Sequence, residues 1–281
     1  MADARDLKSR ARNWACGFDS HLGQSSMNGE RKMTERKIQA VLFDIGETLL
    51  VFGKVDAVAL FKQGGKQAYE FLKTHNQPVK SLRFFLVRHL IVVRLLNLWS
   101  NIIKKDFDSS AILRKISEYN GVELTEPQWQ EYAWQWYEPL SKLAQIEPDI
   151  KETLEKLKQA GVKLGLLSNT FINAATLEKH LAQIGILDCF DAKLYSYQSK
   201  YRKPDKRIFL EAAEKIGTKP QNTLFVGDRL DMDAAGAIKA GMTSVLKKAH
   251  TNSSKTIPQN IIKIEKLAEL PEIVEQLAME I

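Results

Sequence analysis

The stretch Val41–Val51, VLFDIGETLLV, sets an aliphatic run against an acid and a turn. Its opening residues read as a buried strand that runs into a loop at Asp44. In sheets of parallel strands, ligands and chemistry collect beyond the carboxyl ends of those strands. Asp44 is therefore a candidate nucleophile or metal ligand, and Gly46, two places on, has no side chain with which to help it.

Outward from this stretch the pattern is regular. A strand over Ile38–Phe43 is followed by a long helical stretch to about Tyr137. Then PDIKETLEKLKQAGVKLGLLSNT (Pro148–Thr170) reads as a helix, a stop at Gly161 and a buried strand over Lys163–Leu167. A helix over Ile172–Ile184, a strand over Ala192–Ser196, a helix over Lys206–Ile216, a strand over Thr223–Val226 and a helix over Asp233–Ala240 come next. Strands alternating with helices predict a doubly wound α/β fold, a parallel sheet covered on both faces. The last thirty residues are expected to close it with a strand or helix pair that carries no site.

Composition limits the function. The 281 residues are 44% hydrophobic and 27% charged, an ordinary globular balance with enough apolar residues for a large core. Two cysteines, Cys16 and Cys189, form neither a disulfide framework nor a metal-binding spacing, and the first 37 residues hold no apolar segment of a signal peptide. A cytoplasmic location is the expectation. The net charge of +7 would suggest nucleic acid, but its distribution argues otherwise. Residues 1–32 hold six basic and four acidic residues, and Leu82–Lys105 holds Arg83, Arg88, Arg94, Lys104 and Lys105 with no acid, so the rest of the chain is neutral.

Residues 1–37 are expected to be a disordered leader. Gly17-Phe18-Asp19-Ser20 back-translates to the T-loop pattern of transfer RNA genes, and Gly29-Glu30-Arg31 permits a ribosome-binding sequence before Met33, so native translation is expected to begin there. The alternative is a tail that binds a partner.

The polar residues that follow each strand form a set. Asp44 follows the first, Ser168 and Asn169 the second, and Asp228 with Asp233 the fourth; Lys203 lies in KYRKPDKRIF after the third. Each alone has a plain structural reading as a cap or turn. Together they combine acids to attack or ligate, a hydroxyl and an amide to hold oxygens, and a cation, which suits phosphate and Mg²⁺.

On FDIGETL, LGLLSNT, RKPDKRIF and LFVGDRLDMDAAGAIKAGM, between Val41 and Met242, the chain resembles the haloacid dehalogenase superfamily, in the branch with a helical cap after the first strand. The resemblance implies a core from residues 38–51 and 147–281 with a cap over 52–146. It implies a phosphatase of a small phosphorylated metabolite in which Asp44 attacks phosphorus and becomes an aspartyl-phosphate. Ser168 and Lys203 would hold the phosphoryl oxygens, and Asn169 would join them at the substrate. Asp44, Asp228 and the Gly46 carbonyl would ligate Mg²⁺, with Asp233 supporting it indirectly.

One position departs from the pattern: Gly46 stands where the phosphatases usually carry a second aspartate that protonates the leaving group. Glu47 is the nearest replacement acid. The other readings are a substrate with a good leaving group, or a phosphate-binding protein that scarcely turns over. Dehalogenases of the superfamily lack the fourth motif's acids, so Asp228 and Asp233 argue against dehalogenation. A phosphonatase would need a cap lysine, for which Lys62, Lys66 and Lys73 are available.

Within the insert, LRFFLVRHLIVVRLLNLWSNIIKK (Leu82–Lys105) is apolar around most of its circumference, with Arg83, Arg94, Asn97, Asn101 and Lys105 on one stripe. Its charges recur too often for a membrane span. It is expected to be a buried helix with its cationic stripe in solvent, or one that recognises an anionic substrate, or one that touches a membrane surface peripherally. The aromatic residues of PQWQEYAWQWYEPL are expected to be core, with Trp134, off their stripe, the one placed to stack on a substrate. Either a monomer or a homodimer is compatible with so apolar a helix.

Overall fold

The computed structural model describes residues 38–279; the readings of residues 1–37, with Cys16, lie outside them. Ala40–Phe43 is β1, four buried residues whose alternate side chains face opposite sides of the sheet. Five further strands are parallel to it: β2 (Lys163–Ser168), β3 (Ala192–Tyr195), β4 (Thr223–Gly227), β5 (Thr243–Lys247) and β6 (Ile262–Ile264). Their order is β3-β2-β1-β4-β5-β6. The chain leaves β1 toward β2 on one side and returns to β4 on the other, so the carboxyl end of β1 lies at the switch point of a doubly wound sheet.

Both faces are covered. Val41 and Phe43 pack with Leu164, Leu166 and Val226 under helices α5 (Ile150–Gln159), α6 (Ala174–Ile184) and α9 (Leu270–Met279). Ala40 and Leu42 pack with Leu167 and Phe225 under α7 (Lys206–Ile216) and α8 (Ala235–Lys239). The expected alternation holds, with one addition: β5, Thr243–Lys247, is a strand that sequence reading left unassigned. The fourth-motif helix also starts early, in a wide turn over Leu230–Ala234 that brings Asp233 into its first turn.

Between β1 and β2 the expected long helical stretch is four helices: α1 (Ala57–Thr74), α2 (Leu82–Ile103), α3 (Ser109–Glu118) and α4 (Glu126–Ser141). The breaks have local causes. Pro78 interrupts the first connection; Lys104 at φ 55° ends α2, Asp108 caps α3, and Gly121 at φ 81° turns the chain before α4. Gly64 lets α1 lie directly on the Trp136 backbone of α4, where a Cβ would collide. Trp129 and Tyr132 are core, as expected, and so is Trp134, which packs against Tyr137 and His180 in the sheet-domain core.

The insert meets the sheet domain at the carboxyl edge. The Ser109 amide donates to the Phe171 carbonyl after β2, and Phe107 stacks on Phe171. Asp106 accepts from Ser196 Oγ after β3, and Arg202 Nη1 donates to it at 2.9 Å. The residue after Arg202 is Lys203, so the insert is tied to the loop that carries the candidate cation.

Candidate active site

Asp44 is the first residue beyond β1, and its amide still donates to the Val226 carbonyl of β4 at 2.9 Å. That bond continues the sheet ladder and fixes where the carboxylate points. Lys203 Nζ donates to Asp44 Oδ1 at 2.8 Å and to Asp233 Oδ1 at 2.6 Å, with all three side chains buried. Asp233 Oδ2 accepts from the Arg229 amide at 2.9 Å. A methyl group at Gly227 would lie 2.5 Å from the Asp233 carboxyl, so only glycine at the end of β4 lets that side chain approach the strand.

Asp228 completes the cluster. Its Oδ2 accepts a short hydrogen bond from Thr251 Oγ1, and its carbonyl accepts from Asn252 Nδ2 at 2.8 Å. Asp44, Asp228 and Asp233 each offer a carboxylate oxygen within 4.8 Å of the others. Three buried carboxylates thus face one ammonium, and the electrostatics show the imbalance. Burial, with Asp233 and Asp44 adding repulsion, pushes Asp228 up to about 6. Burial also raises Asp233, against the pull of Lys203. Burial alone would lower Lys203, but Asp233 and Asp44 outweigh it and hold the ammonium above its ordinary pKa. The donor set, hard carboxylate oxygens short of positive charge, fits a divalent cation such as Mg²⁺.

The remaining expected residues lie around this cluster. Ser168 ends β2 and is buried. Asn169 follows it, but both ends of its amide are engaged by Lys203: Nδ2 donates to the Lys203 carbonyl at 2.9 Å and Oδ1 accepts from the Lys203 amide at 2.8 Å. It clamps the lysine's backbone across the gap between the loops after β2 and β3. Gly46 sits in the turn after Asp44 with nothing within 4 Å of where a Cβ would stand. Glu47 adopts φ 56°, and its Oε1 accepts from the amides of Phe52 and Gly53 at 2.9 and 3.0 Å, while Oε2 lies 3.1 Å from His250 Nδ1. Its carboxylate therefore braces the loop that leads into the insert.

Sequence reading missed Thr251, Asn252 and His250. It assigned no site to the chain after β5, yet that loop supports Asp228 and meets Glu47. The available signal was the short Thr243–Lys247 segment around Val245 and Leu246: polar residues following a fifth strand belong to the same set as those following the first four.

A family model described as haloacid dehalogenase-like hydrolase matches residues 38–241. The chain belongs to the haloacid dehalogenase-like hydrolases. Among curated relatives, the glyceraldehyde 3-phosphate phosphatase of Methanopyrus kandleri is 39% identical over 98 residues, which cover 35% of this chain and 41% of that one. The match thus spans less than half of that relative. The glyceraldehyde 3-phosphate phosphatase of Pyrococcus furiosus is 26% identical over 248 residues, covering 87% of this chain and 95% of that one. Among solved structures, a 2-haloacid dehalogenase from Pseudomonas syringae superposes with a TM-score of 0.55 at 25% identity, over 86% of this chain and 100% of that one. This haloacid dehalogenase-like hydrolase therefore has named relatives of both phosphatase and dehalogenase type, and the site chemistry must choose between them.

Proposed function

We propose that this hydrolase is a Mg²⁺-dependent phosphatase of a small phosphorylated metabolite, working through an aspartyl-phosphate on Asp44. One observation carries the reading: three buried carboxylates, Asp44, Asp228 and Asp233, gather at the carboxyl end of β1, and Lys203 pairs with two of them, Asp44 and Asp233. A halide-displacing site has no phosphate dianion to neutralise and no use for Asp228 and Asp233. A phosphoryl-transfer site needs them, because a carboxylate attacking a dianion meets charge repulsion.

Asp44, Asp228 and the Gly46 carbonyl would hold the metal, with Asp233 behind them, and a bound Mg²⁺ would supply charge neutralisation of the phosphoryl oxygens. Asp44 attacks phosphorus as the bond to the leaving oxygen breaks. Lys203 and Ser168 hold the non-bridging oxygens, and Asn169 keeps Lys203 in place through its backbone. Water then attacks the aspartyl-phosphate and frees Asp44 and phosphate. The four inserted helices act as a cap, tied to the Lys203 loop through Asp106 and Arg202, and set the substrate's size.

No side chain at position 46 protonates the leaving group, and Glu47 Oε1 is held by the Phe52 and Gly53 amides while Oε2 faces His250. Glu47 acts as the brace of this loop, so Glu47→Gln, which keeps an oxygen acceptor for both amides, is expected to hydrolyse within about threefold of wild type. Loss of a true general acid would cost about 10²–10⁴-fold. The enzyme relies instead on its substrate's leaving group.

The deciding experiment compares Mg²⁺-dependent hydrolysis of p-nitrophenyl phosphate and an alkyl phosphate by wild type and Gly46→Asp. The open space beside Gly46 accepts the new side chain. Wild type is expected to favour the aryl ester by orders of magnitude, and Gly46→Asp to gain at least about tenfold on the alkyl ester. If wild type cleaves neither ester while still binding Mg²⁺ and phosphate, the protein is a phosphate-binding member of the family.

The metal leaves a signature in stability. Asp228, raised to about 6 in the folded state, binds more protons folded than unfolded between its unfolded value near 4 and about 6. The metal-free protein therefore loses stability as pH rises through that window, while Mg²⁺, which needs the ionised form, binds better as pH rises. Thermal melts are expected to show excess Mg²⁺ raising Tm clearly at about pH 7.5 and little at about pH 5. A Tm indifferent to Mg²⁺ at both would remove the metal from the proposal.

A further inference from the structure

Helix α2 was expected to be buried with its cationic stripe in solvent, to recognise an anionic substrate, or to touch a membrane surface peripherally. It is not buried on its apolar side. Phe85, His89 and Ser100 pack inward, while Phe84, Ile91, Leu95, Leu98, Trp99 and Ile102 are exposed on the other side, Leu95 by 61%, Leu98 by 63% and Ile102 by 73%. At 100° per residue these six fall within an arc of about 80–120°. Along one edge of that arc lie Arg83, Arg94 and Lys105, with Lys104 at the C-cap of the helix; all four are exposed, and none pairs with a described acidic residue. Leu82–Lys105 contains no acid, and it carries five of the chain's seven net positive charges.

We propose that α2 docks this protein on an anionic lipid surface, lying in the headgroup layer with its apolar face inserted and its basic edge against the headgroups. An exposed apolar stripe of this length, about 33 Å for 22 residues, is unusual on a soluble monomer. No helix among the described residues is long and apolar enough to cross a membrane, so α2 lies on a bilayer instead of spanning it. The charge selects the occupant. Lysine and arginine beside an inserted apolar face match phosphate-bearing headgroups. A second copy matches poorly, because antiparallel pairing about a two-fold axis in the interface sets both basic edges on the same side with no acid on either helix to answer them. The inference does not depend on the phosphatase reading, since none of these residues belongs to the site.

The test is co-sedimentation of the full chain with vesicles of phosphatidylcholine alone and of phosphatidylcholine with phosphatidylglycerol, alongside sedimentation velocity without lipid. Wild type is expected to bind the anionic vesicles at least about tenfold more tightly than the neutral ones, with the preference shrinking as salt rises. Leu95→Glu with Leu98→Glu should abolish binding to both. Arg83→Gln, Arg94→Gln, Lys104→Gln and Lys105→Gln together should lose the anionic preference. Both variants alter exposed positions and should melt and hydrolyse as wild type does. Wild type left in the supernatant of both vesicles overturns the proposal, as does binding that ignores these substitutions. A dimer that Leu95→Glu splits, with no vesicle binding, assigns the face to a second copy.

Discussion

Asp44→Asn is expected to reduce Mg²⁺-dependent phosphate release by at least about 10³-fold, because the substitution removes the attacking oxygen and a metal ligand together. The folded protein should not suffer. Asp44, Asp228 and Asp233 repel one another in a buried site with a single ammonium among them, and asparagine removes one of those charges while Lys203 keeps Asp233 at 2.6 Å. The metal-free variant should therefore melt at or above the wild-type temperature, with a smaller increase on adding Mg²⁺. Steady-state phosphate release and a thermal melt on the same preparation separate lost chemistry from lost fold. Turnover above a tenth of wild type would mean that another residue is the nucleophile.

Lys203→Met behaves in the opposite way, because it costs both activity and stability. The ammonium is the shared partner of two buried carboxylates, and deleting one member of a buried ion pair typically costs about 3–5 kcal/mol, since the charge left behind has neither water nor a partner. In a chain of this size that corresponds to a fall in Tm of roughly 10 °C at neutral pH. The sign of the pH dependence follows from Asp233, which burial already raises against the pull of Lys203: once stranded it takes up a proton more readily, so the loss should shrink toward about pH 5. Mg²⁺ in excess should recover part of the stability by replacing the missing charge, while turnover stays low because no cation reaches the phosphoryl oxygens from the Lys203 side. Equal melting of variant and wild type at neutral pH would show that the ion pairs of Lys203 with Asp44 and Asp233 do not stabilise the fold.

The asymmetry between these two variants reflects how the site is assembled. Asp44 is held by β1, whose ladder with β4 continues through its own amide. Lys203 sits on a loop, held by the Asn169 amide on one side and by the Arg202 contact with the insert on the other. Asp233 reaches the pair only because Gly227 has no side chain. A rigid strand end thus carries the proposed nucleophile, and the charge beside it comes from segments fixed by long-range hydrogen bonds.

The doubly wound sheet was legible because its strands are short apolar runs and its helices end at glycines, both local signals. The candidate site was legible for the same reason: Asp44, Lys203, Asp228 and Asp233 come after strands and Ser168 ends one, so placing the strands placed the residues. That is what the sequence determined by itself, together with the missing side chain at position 46. Tertiary structure alone decided the rest. Thr251 and Asn252 serve Asp228 from 23 and 24 residues away, in a loop with no periodicity to mark it. Asn169 faces the Lys203 backbone, and Glu47 faces two amides and His250, because side chains with several possible partners are committed only when the loops meet. Helix α2 shows the limit most plainly. A helix apolar on nearly every side carries no local instruction about which face to bury, and the helices packed against Phe85 and His89 left Leu95 and Ile102 facing out.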